Sequence, residues 1–296
     1  MRKPLLLGTR GSLLATTQSK WVANQLTGVE IKLEIIQTTG DDLSLSLMEP
    51  LQPGAFVNTL RSALIAGEVD FIVHSLKDLP SAPHPELALA AIPVREDHRD
   101  VLVSLNNLEL DAIADGSVIG TSSPRRMATI KARYPGLIVA PIRGNIDSRI
   151  AKIRNGEYAG AILAAAGLNR IGRRADIAQY FEVTDILPAP AQGALAVECR
   201  ADNAAMIALL SGIDDARTRM TSIAERGVLQ GLNAGCDLAI GSFAYFDEDK
   251  VVLLAELGNP ATGQNQKIRE STKIKSVRDF EAAYELGLMV ASKFER

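Results

Sequence analysis

Basic and hydroxyl side chains collect at four places where a short apolar run gives way to a helical pattern. These segments are Gly8-Thr9-Arg10-Gly11-Ser12, His74-Ser75-Leu76-Lys77-Asp78, Thr121-Ser122-Ser123-Pro124-Arg125-Arg126, and Arg143-Gly144-Asn145 with Arg149 shortly after. A single Arg in such a place is more often solvated than ligand-binding. Four junctions of parallel sheets, however, can converge on one cleft, so together they predict a site for a small polyanion. Arg binds carboxylates and phosphates in pairs of hydrogen bonds, and the absence of a phosphate loop favours carboxylates.

Asp78 is an acid placed among these bases, directly after Lys77. One interpretation is a structural ion pair or helix cap. The other is a carboxylate that moves protons or stabilises a developing cation. Cys236, in Gly235-Cys236-Asp237, is predicted to lie in a loop, where a thiol can take part in chemistry. Cys199 ends the apolar strand Ala194–Cys199, and we interpret it as a packing residue.

Other kinds of site are disfavoured by composition and spacing. The chain has 32 Lys and Arg against 35 Asp and Glu, a net charge of −3, so nucleic acid is not an expected partner. No glycine pair has dinucleotide-binding spacing, and the three histidines lack metal-ligand spacing, so no metal is expected. The apolar runs are too short for a signal peptide or a membrane span. We therefore expect a cytoplasmic protein with free thiols and no membrane partner.

Short apolar runs alternate with helical patterns over most of the chain, which indicates βαβ units. The predicted strands are Leu5–Leu7, Ile31–Gln37, Val69–Val73, Val118–Gly120, Leu137–Ile142 and Ala159–Ala164. The predicted helices begin near Ser12, Phe56, Pro124 and Ile146. The remainder predicts a small α+β domain with strands Leu238–Tyr245 and Val251–Leu257 and a helix over Val277–Phe294. The 296 residues suit two domains or three small ones, with crossovers near Arg95–Arg99 and Pro188–Gly193.

Taken together, the segments resemble the porphobilinogen deaminase family. The four junctions carry part of the match, extended by Ala15, Gln18, Leu79-Pro80 and Gly120. The rest comes from Ala166-Gly167-Leu168 with Arg170, Leu187-Pro188-Ala189 with Gln192-Gly193-Ala194, and Ala224-Glu225-Arg226 with Gly235-Cys236. Their occurrence in this order along most of the chain makes the resemblance specific.

The resemblance implies an α/β fold with two periplasmic-binding-protein-like domains, mainly parallel sheets, and a small C-terminal α+β domain. Domain 1, residues 1–95 and 193–212, would bind substrate and carry out catalysis. Domain 2, residues 96–192, would bind the carboxylates of the cofactor. Domain 3, residues 213–296, would carry the cofactor cysteine.

The family consists of transferases that deaminate porphobilinogen and join four molecules head to tail into hydroxymethylbilane, in tetrapyrrole (haem) biosynthesis. The chain grows on a dipyrromethane cofactor attached by a thioether to a cysteine, which Cys236 matches. Asp78 matches the catalytic carboxylate, which helps ammonia leave, stabilises cationic intermediates and handles the ring proton. Other residues match family contacts to cofactor and substrate: Arg10, Ser12, Ser75, Lys77, Thr121, Ser123, Arg125, Arg126, Arg143, Arg149 and Arg170. Each pyrrole carries an acetate and a propionate, in agreement with a polyanion site, and we expect the enzyme to be a monomer.

Two departures from the family pattern leave a rival hypothesis open. Leu51–Ala55 and Asn58 replace a Gly- and Lys-containing segment that forms the family's mobile lid, and Asp237 adds a carboxylate beside Cys236. We expect Asp237 to raise the thiol pKa and slow cofactor attachment. The rival is a catalytically impaired, binding-protein-like paralogue that holds an anionic pyrrole or another polycarboxylate. Retention of both Asp78 and Cys236 favours the enzyme.

Overall fold

The computed structural model describes residues 3–37, 55–233 and 238–295. Cys236, Asp237 and the Leu51–Gly54 part of the expected lid lie outside the described residues. By contact density the chain divides into two compact units. The first contains the residues up to Arg95 together with Ala194–Arg219, and the second contains Glu96–Gly193 together with Met220–Arg296.

The strands of the described residues are β1 (Leu5–Thr9), β2 (Ile31–Ile35), β3 (Phe71–Ser75), β4 (Leu87–Ala91), β5 (Asp100–Ser104), β6 (Val118–Gly120), β7 (Ile138–Ala140), β8 (Gly160–Ala164), β9 (Gln179–Tyr180), β10 (Leu195–Arg200), β11 (Ala239–Asp247), β12 (Lys250–Gly258) and β13 (Asn265–Lys273). The helices are α1 (Leu13–Ala23), α2 (Ala55–Ile65), α3 (Pro124–Arg133), α4 (Ile146–Arg154), α5 (Ala165–Arg170), α6 (Ala204–Ser211), α7 (Ala216–Gly231) and α8 (Phe280–Ser292).

The first unit is built on one sheet with strand order β2-β1-β3-β10-β4. β1 is parallel to β2 and to β3, whereas β10 runs antiparallel to both β3 and β4. Leu7, Phe71 and Val197 pack on the face covered by α1 and α6, and Ile72 packs on the face covered by α2. Burial on both faces explains why these strands are nearly continuous apolar runs.

The second unit contains two sheets. The larger has the order β7-β6-β8-β5-β9, with β6 parallel to β7 and β8, and β5 antiparallel to β8 and β9. The smaller is the antiparallel sheet β11-β12-β13, which shares an apolar core with α7 and α8. Gly227 and Gly287 let these two helices meet backbone to backbone, since a Cβ on Gly287 would lie 2.5 Å from the carbonyl oxygen of Ala224.

The structure confirms the predicted α/β architecture with a C-terminal α+β part. β6 spans the predicted residues, α3 and α4 begin at the predicted positions, and the other strand ends differ by a few residues. The two larger sheets, however, are mixed rather than mainly parallel, because β10 and β5 each enter their sheet in the opposite direction to its parallel strands. Among residues 3–37, 55–233 and 238–295, no helix is long and apolar enough to cross a membrane.

Candidate active site

In the first unit, the predicted residues follow the carboxyl ends of β1 and β3, which are parallel neighbours. Arg10 follows β1 directly, and Ser12 caps α1, its hydroxyl accepting a hydrogen bond from the backbone N–H of Ala15 at 3.3 Å. Gln18 of α1 donates from Nε2 to the hydroxyl of Ser75 at 3.1 Å. This contact ties α1 to the end of β3, so both junctions are held at one edge of the sheet.

Asp78 lies in a one-turn 3₁₀ helix, Leu76–Asp78, immediately after β3. The turn is fixed to the sheet by a hydrogen bond of 3.0 Å from the backbone N–H of Leu76 to the carbonyl oxygen of Ala194. Asp78 reaches solvent, yet desolvation by the surrounding protein raises the pKa of its carboxyl, while the positive charges of Lys77 and Arg10 oppose that rise. The structure therefore groups one carboxyl with two cations, and a raised pKa suits proton exchange.

Beneath this edge lies a buried ion pair that the sequence did not reveal. Arg61 of α2 donates from Nε and Nη2 to the two carboxylate oxygens of Glu198, at 3.0 and 2.7 Å. His74 Nε2 lies 3.7 Å from Glu198 Oε2 and has no hydrogen-bond partner among the described residues. Burial lowers the pKa of His74 to about 3, helped by the charges of Arg61 and Arg10, so the imidazole is neutral at physiological pH. We interpret this group as structural support for β3.

In the second unit, Thr121 and Ser123 form the junction between β6 and α3. Thr121 is buried, and its hydroxyl accepts a hydrogen bond from the backbone N–H of Ser123 at 3.2 Å. Ser123 is the N-cap of α3 but makes no side-chain capping bond, and Pro124 occupies the first turn, where its missing N–H is harmless. The hydroxyl of Ser123 is thus not committed to the cap.

Arg125 and Arg126 are both buried in the first turn of α3 and share one carboxylate. Arg125 Nη1 donates to Asp100 Oδ2 at 2.6 Å and to the carbonyl oxygen of Leu187 at 2.5 Å. Arg126 Nη2 donates to Asp100 Oδ1 at 2.7 Å, and its Nη1 donates to the carbonyl oxygen of Ile162 at 2.8 Å. Burial alone would raise the pKa of Asp100, but the two guanidinium groups hold it well below its usual range.

The remaining predicted arginines differ in their surroundings. Arg143 is exposed after β7, whereas Arg149 of α4 donates from Nε to the carbonyl oxygen of Gly144 at 2.8 Å. Burial and the nearby charge of Arg126 lower the pKa of Arg149. Arg170, at the end of α5, donates from Nη2 to the carbonyl oxygen of Gly193 at 2.7 Å. Arg126 and Arg149 are therefore close enough to repel each other, an arrangement that an anion would relieve.

The candidates thus fall into two sets. Arg10, Ser12, Ser75, Lys77 and Asp78 belong to the first unit, and the remaining predicted contacts belong to the second. Cys236 lies outside the described residues. In the described part of the chain no group of His, Cys, Asp and Glu has the arrangement of a metal site.

Sequence reasoning missed Asp100 and Gln192 as members of the second set. Gln192 donates from Nε2 to Asp100 Oδ1 at 2.8 Å. The sequence could have indicated Asp100, because this acid directly precedes the apolar strand Val101–Val103. A carboxylate buried beside such a strand needs a partner that offsets its charge.

Comparisons with known proteins show which family the sequence matches. The family model described as "Porphobilinogen deaminase, dipyromethane cofactor binding domain" matches residues 5–208, and "Porphobilinogen deaminase, C-terminal domain" matches residues 219–296. The porphobilinogen deaminase of Nocardia farcinica (strain IFM 10152) is 44% identical over 293 residues, which cover 97% of this chain and 84% of that protein. Porphobilinogen deaminase 1 of Streptomyces avermitilis is 51% identical over 252 residues, covering 81% and 78%.

Among solved structures, the chain is similar to the second substrate binding domain of a putative amino acid ABC transporter from Streptococcus pneumoniae. The TM-score is 0.44 at 13% identity, with 71% of this chain and 91% of that one covered. The periplasmic VFT2 domain of Bordetella pertussis BvgS gives a TM-score of 0.42 at 15% identity, covering 70% and 85%.

Proposed function

The chain belongs to the porphobilinogen deaminase family, and we propose here how its residues divide the work of that enzyme. It is a transferase of tetrapyrrole synthesis that deaminates porphobilinogen, joins four molecules into hydroxymethylbilane and uses a dipyrromethane cofactor. The rival hypothesis of an impaired binding paralogue finds no support, because relatives that match 97% of the chain are named for the enzyme.

Asp78 is the proposed catalytic residue, and the observation that carries this assignment is its carboxyl beside Lys77 and Arg10 with a raised pKa. When the aminomethyl C–N bond of porphobilinogen breaks, ammonia leaves with the electron pair and positive charge develops on the pyrrole. A carboxylate next to that carbon stabilises the charge. The pyrrole ring carbon that forms the new C–C bond loses a proton, and a carboxyl with a raised pKa is suited to accept it.

The second unit fits a cofactor that carries carboxylates. Arg126 Nε is buried and has no hydrogen-bond partner within the described residues, and Arg149 lies in its positive field. An acetate or propionate oxygen would satisfy both. When bound, dipyrromethane supplies the pyrrole carbon to which the first substrate molecule is joined.

Because Cys236 matches the cysteine that carries the cofactor in this family, we propose it as the point of attachment. The residues proposed to hold cofactor and substrate carboxylates are Arg10, Ser12, Ser75, Lys77, Thr121, Ser123, Arg126, Arg143, Arg149 and Arg170, with Arg125 taking part through its contact with Asp100.

We also propose that the protein has three domains, is a monomer and is located in the cytoplasm. Each of the three sheets has its own apolar core, which supports domains of residues 1–95 with 193–212, 96–192 and 213–296. The edge strand β13 carries Lys267, Arg269 and Lys273, charges that discourage pairing with another chain. A thiol that must stay reduced for cofactor attachment suits the cytoplasm.

Intact mass tests the attachment site. We expect freshly purified protein to carry the extra mass of two pyrrole units, the Cys199→Ala variant to keep it and the Cys236→Ser variant to lack it. A Cys236→Ser variant that still carries the extra mass would contradict the assignment of Cys236, and wild-type protein that stays unmodified after incubation with porphobilinogen would contradict the cofactor itself.

A second experiment tests Asp78. The Asp78→Asn variant should keep the fold and the cofactor mass but lose activity by a factor of about 10²–10⁴, the usual contribution of one acid–base group. Asp202→Asn, which removes an exposed carboxylate paired with Arg200 in the same unit, is the matched control and should leave activity unchanged. Full activity in Asp78→Asn would refute the catalytic role.

A further inference from the structure

Asp100 is fully buried at the first position of β5, and three side chains donate hydrogen bonds to it. Its Oδ2 accepts from Arg125, and its Oδ1 accepts from both Arg126 and Gln192. Gln192 is itself fully buried and also donates to the carbonyl oxygen of His98 at 2.9 Å. The carboxylate is therefore held in one orientation by donors on two separate segments, α3 and the loop before β10.

We propose that Asp100 is a positioning residue: it orients the guanidinium groups of Arg125 and Arg126 and sets the positive charge that they offer to the carboxylates of the cofactor and substrate. Asp100 itself touches neither the cofactor nor the substrate. This inference rests on the proposed ligand role of Arg126.

The location of the two arginines explains why they need such a partner. They occupy the first turn of α3, where the partial positive charge of the helix end disfavours cations. Two buried guanidinium groups side by side repel each other as well. One carboxylate between them offsets both effects and leaves the pair with a single net positive charge.

The two arginines that contact Asp100 differ in their other contacts, and we assign them different roles. The two contacts of Arg125 Nη1 are to Asp100 and to the carbonyl oxygen of Leu187, so this side chain is bound to the protein. Arg126 is fixed through Nη1 and Nη2, while its buried Nε has no partner within the part of the chain that the structure describes. With Nη1 and Nη2 both held by the protein, the Nε–H of Arg126 is kept in one orientation as a donor for a ligand. The geometry thus assigns ligand binding to Arg126 and support to Arg125.

The test compares Asp100→Glu with Arg126→Leu, and it uses three measurements. These are the rate at which apoprotein gains the mass of two pyrrole units on incubation with porphobilinogen, the kcat and KM of the loaded enzyme, and the thermal midpoint. Asp100→Glu keeps the charge but moves the carboxylate outward by one methylene. Asp185→Glu is the matched control, since Asp185 pairs with Arg133 at the other end of the same helix at 3.0 Å.

We expect Asp100→Glu to slow the mass gain and raise KM by about tenfold, the effect of weakening one charge-assisted hydrogen bond, with a smaller change in kcat. Asp185→Glu should leave both unchanged. The double variant Asp100→Glu with Arg126→Leu should be no worse in KM than Arg126→Leu, because Asp100 acts through Arg126.

The two variants test the positioning role of Asp100 separately from the ligand role of Arg126. If Arg126→Leu leaves the mass gain and KM unchanged, the ligand role of Arg126 is wrong, and the inference falls with it. If Arg126→Leu impairs both but Asp100→Glu lowers only the thermal midpoint, the ligand role stands and the positioning role is overturned. Should Asp100→Glu not fold, Gln192→Met decides, since losing one donor to Asp100 should raise KM in the same direction and an unchanged KM overturns the proposal.

Discussion

Arg170 Nη2 lies 2.7 Å from the carbonyl oxygen of Gly193 and donates a hydrogen bond to it. The same oxygen accepts from the backbone N–H of Glu96 at 3.2 Å, and the neighbouring Asn169 donates to the carboxylate of Glu96 at 3.1 Å. The end of α5 therefore links Glu96 and Gly193, the first and last residues of the segment Glu96–Gly193 of the second unit. Arg170, predicted as a ligand contact, also stabilises the backbone at Gly193.

Gly193→Ala should destabilise the protein strongly. Gly193 has a φ of +92°, and a Cβ there would lie 2.4 Å from the carbonyl oxygen of Glu96. Left-handed strain adds about 1–2 kcal/mol for any other residue, and the backbone clash adds further strain. Gly156→Ala is the control, because Gly156 has a φ of +77° but open space around its Cβ position. A urea midpoint lowered equally by both variants would show that the contact with Glu96 is unimportant.

Asp78→Asn should stabilise the protein at neutral pH. A carboxyl whose pKa is raised by folding stabilises the native state below its ordinary pKa and loses that contribution as the pH rises through the raised value. The gain of the Asn variant in thermal midpoint should therefore be present at pH 7 and vanish below about pH 4. Asp202, whose pKa is lowered by Arg200, should show the opposite sign on substitution by Asn. A lower midpoint for Asp78→Asn at pH 7 would contradict the raised pKa.

Arg61→Met should cost about 3–5 kcal/mol, because it leaves Glu198 buried without its charge partner. Arg200→Met breaks an ion pair with Asp202 that is largely exposed, and it should cost less than about 1 kcal/mol. Denaturant unfolding of both variants measures the difference. Arg61→Met combined with Glu198→Leu should recover most of the loss, and failure to do so would mean that Arg61 contributes mainly through packing.

Cys199 should resist alkylation in the native protein. It is fully buried on β10, and burial, helped by the charge of Glu198, raises the pKa of its thiol to about 11. Thiolate is the reactive form, so iodoacetamide at pH 7.5 should label Cys199 only after unfolding. The Cys236→Ser variant, in which Cys199 is the remaining thiol, isolates this measurement by intact mass. Rapid labelling of the folded variant would show that β10 opens readily.

The sequence predicted the elements whose burial pattern is simple. β1, β3 and β6 are apolar on both faces, so their composition alone indicates strands, and the polar residues after them were correctly placed at strand ends. β13 was missed because its nine residues, NQKIRESTK, contain one apolar side chain, that of Ile268. Such an edge strand forms because β12 offers hydrogen bonds to it, which is a property of its neighbour.

The chemistry of the site was predictable to the level of residue type but not of pairing. The cluster of arginines indicated an anion, and for Arg125 and Arg126 that anion is in part Asp100 of the chain itself. Asp100 lies 25 and 26 positions before these arginines and 92 before Gln192. Contacts over such separations depend on how the strands of the sheet are ordered, which local patterns do not encode.

The position of β10 between β3 and β4 has a consequence for folding during synthesis. Every strand of the sheet β7-β6-β8-β5-β9 comes from one continuous stretch, so this sheet can assemble soon after it leaves the ribosome. The sheet of the first unit must wait for β10, and the intervening residues take roughly 5–20 s to translate at about 5–20 residues per second. During that interval β3 and β4 lack the strand that joins them. The nascent N-terminal part therefore keeps unpaired strand edges until β10 has been synthesised, and such edges favour aggregation.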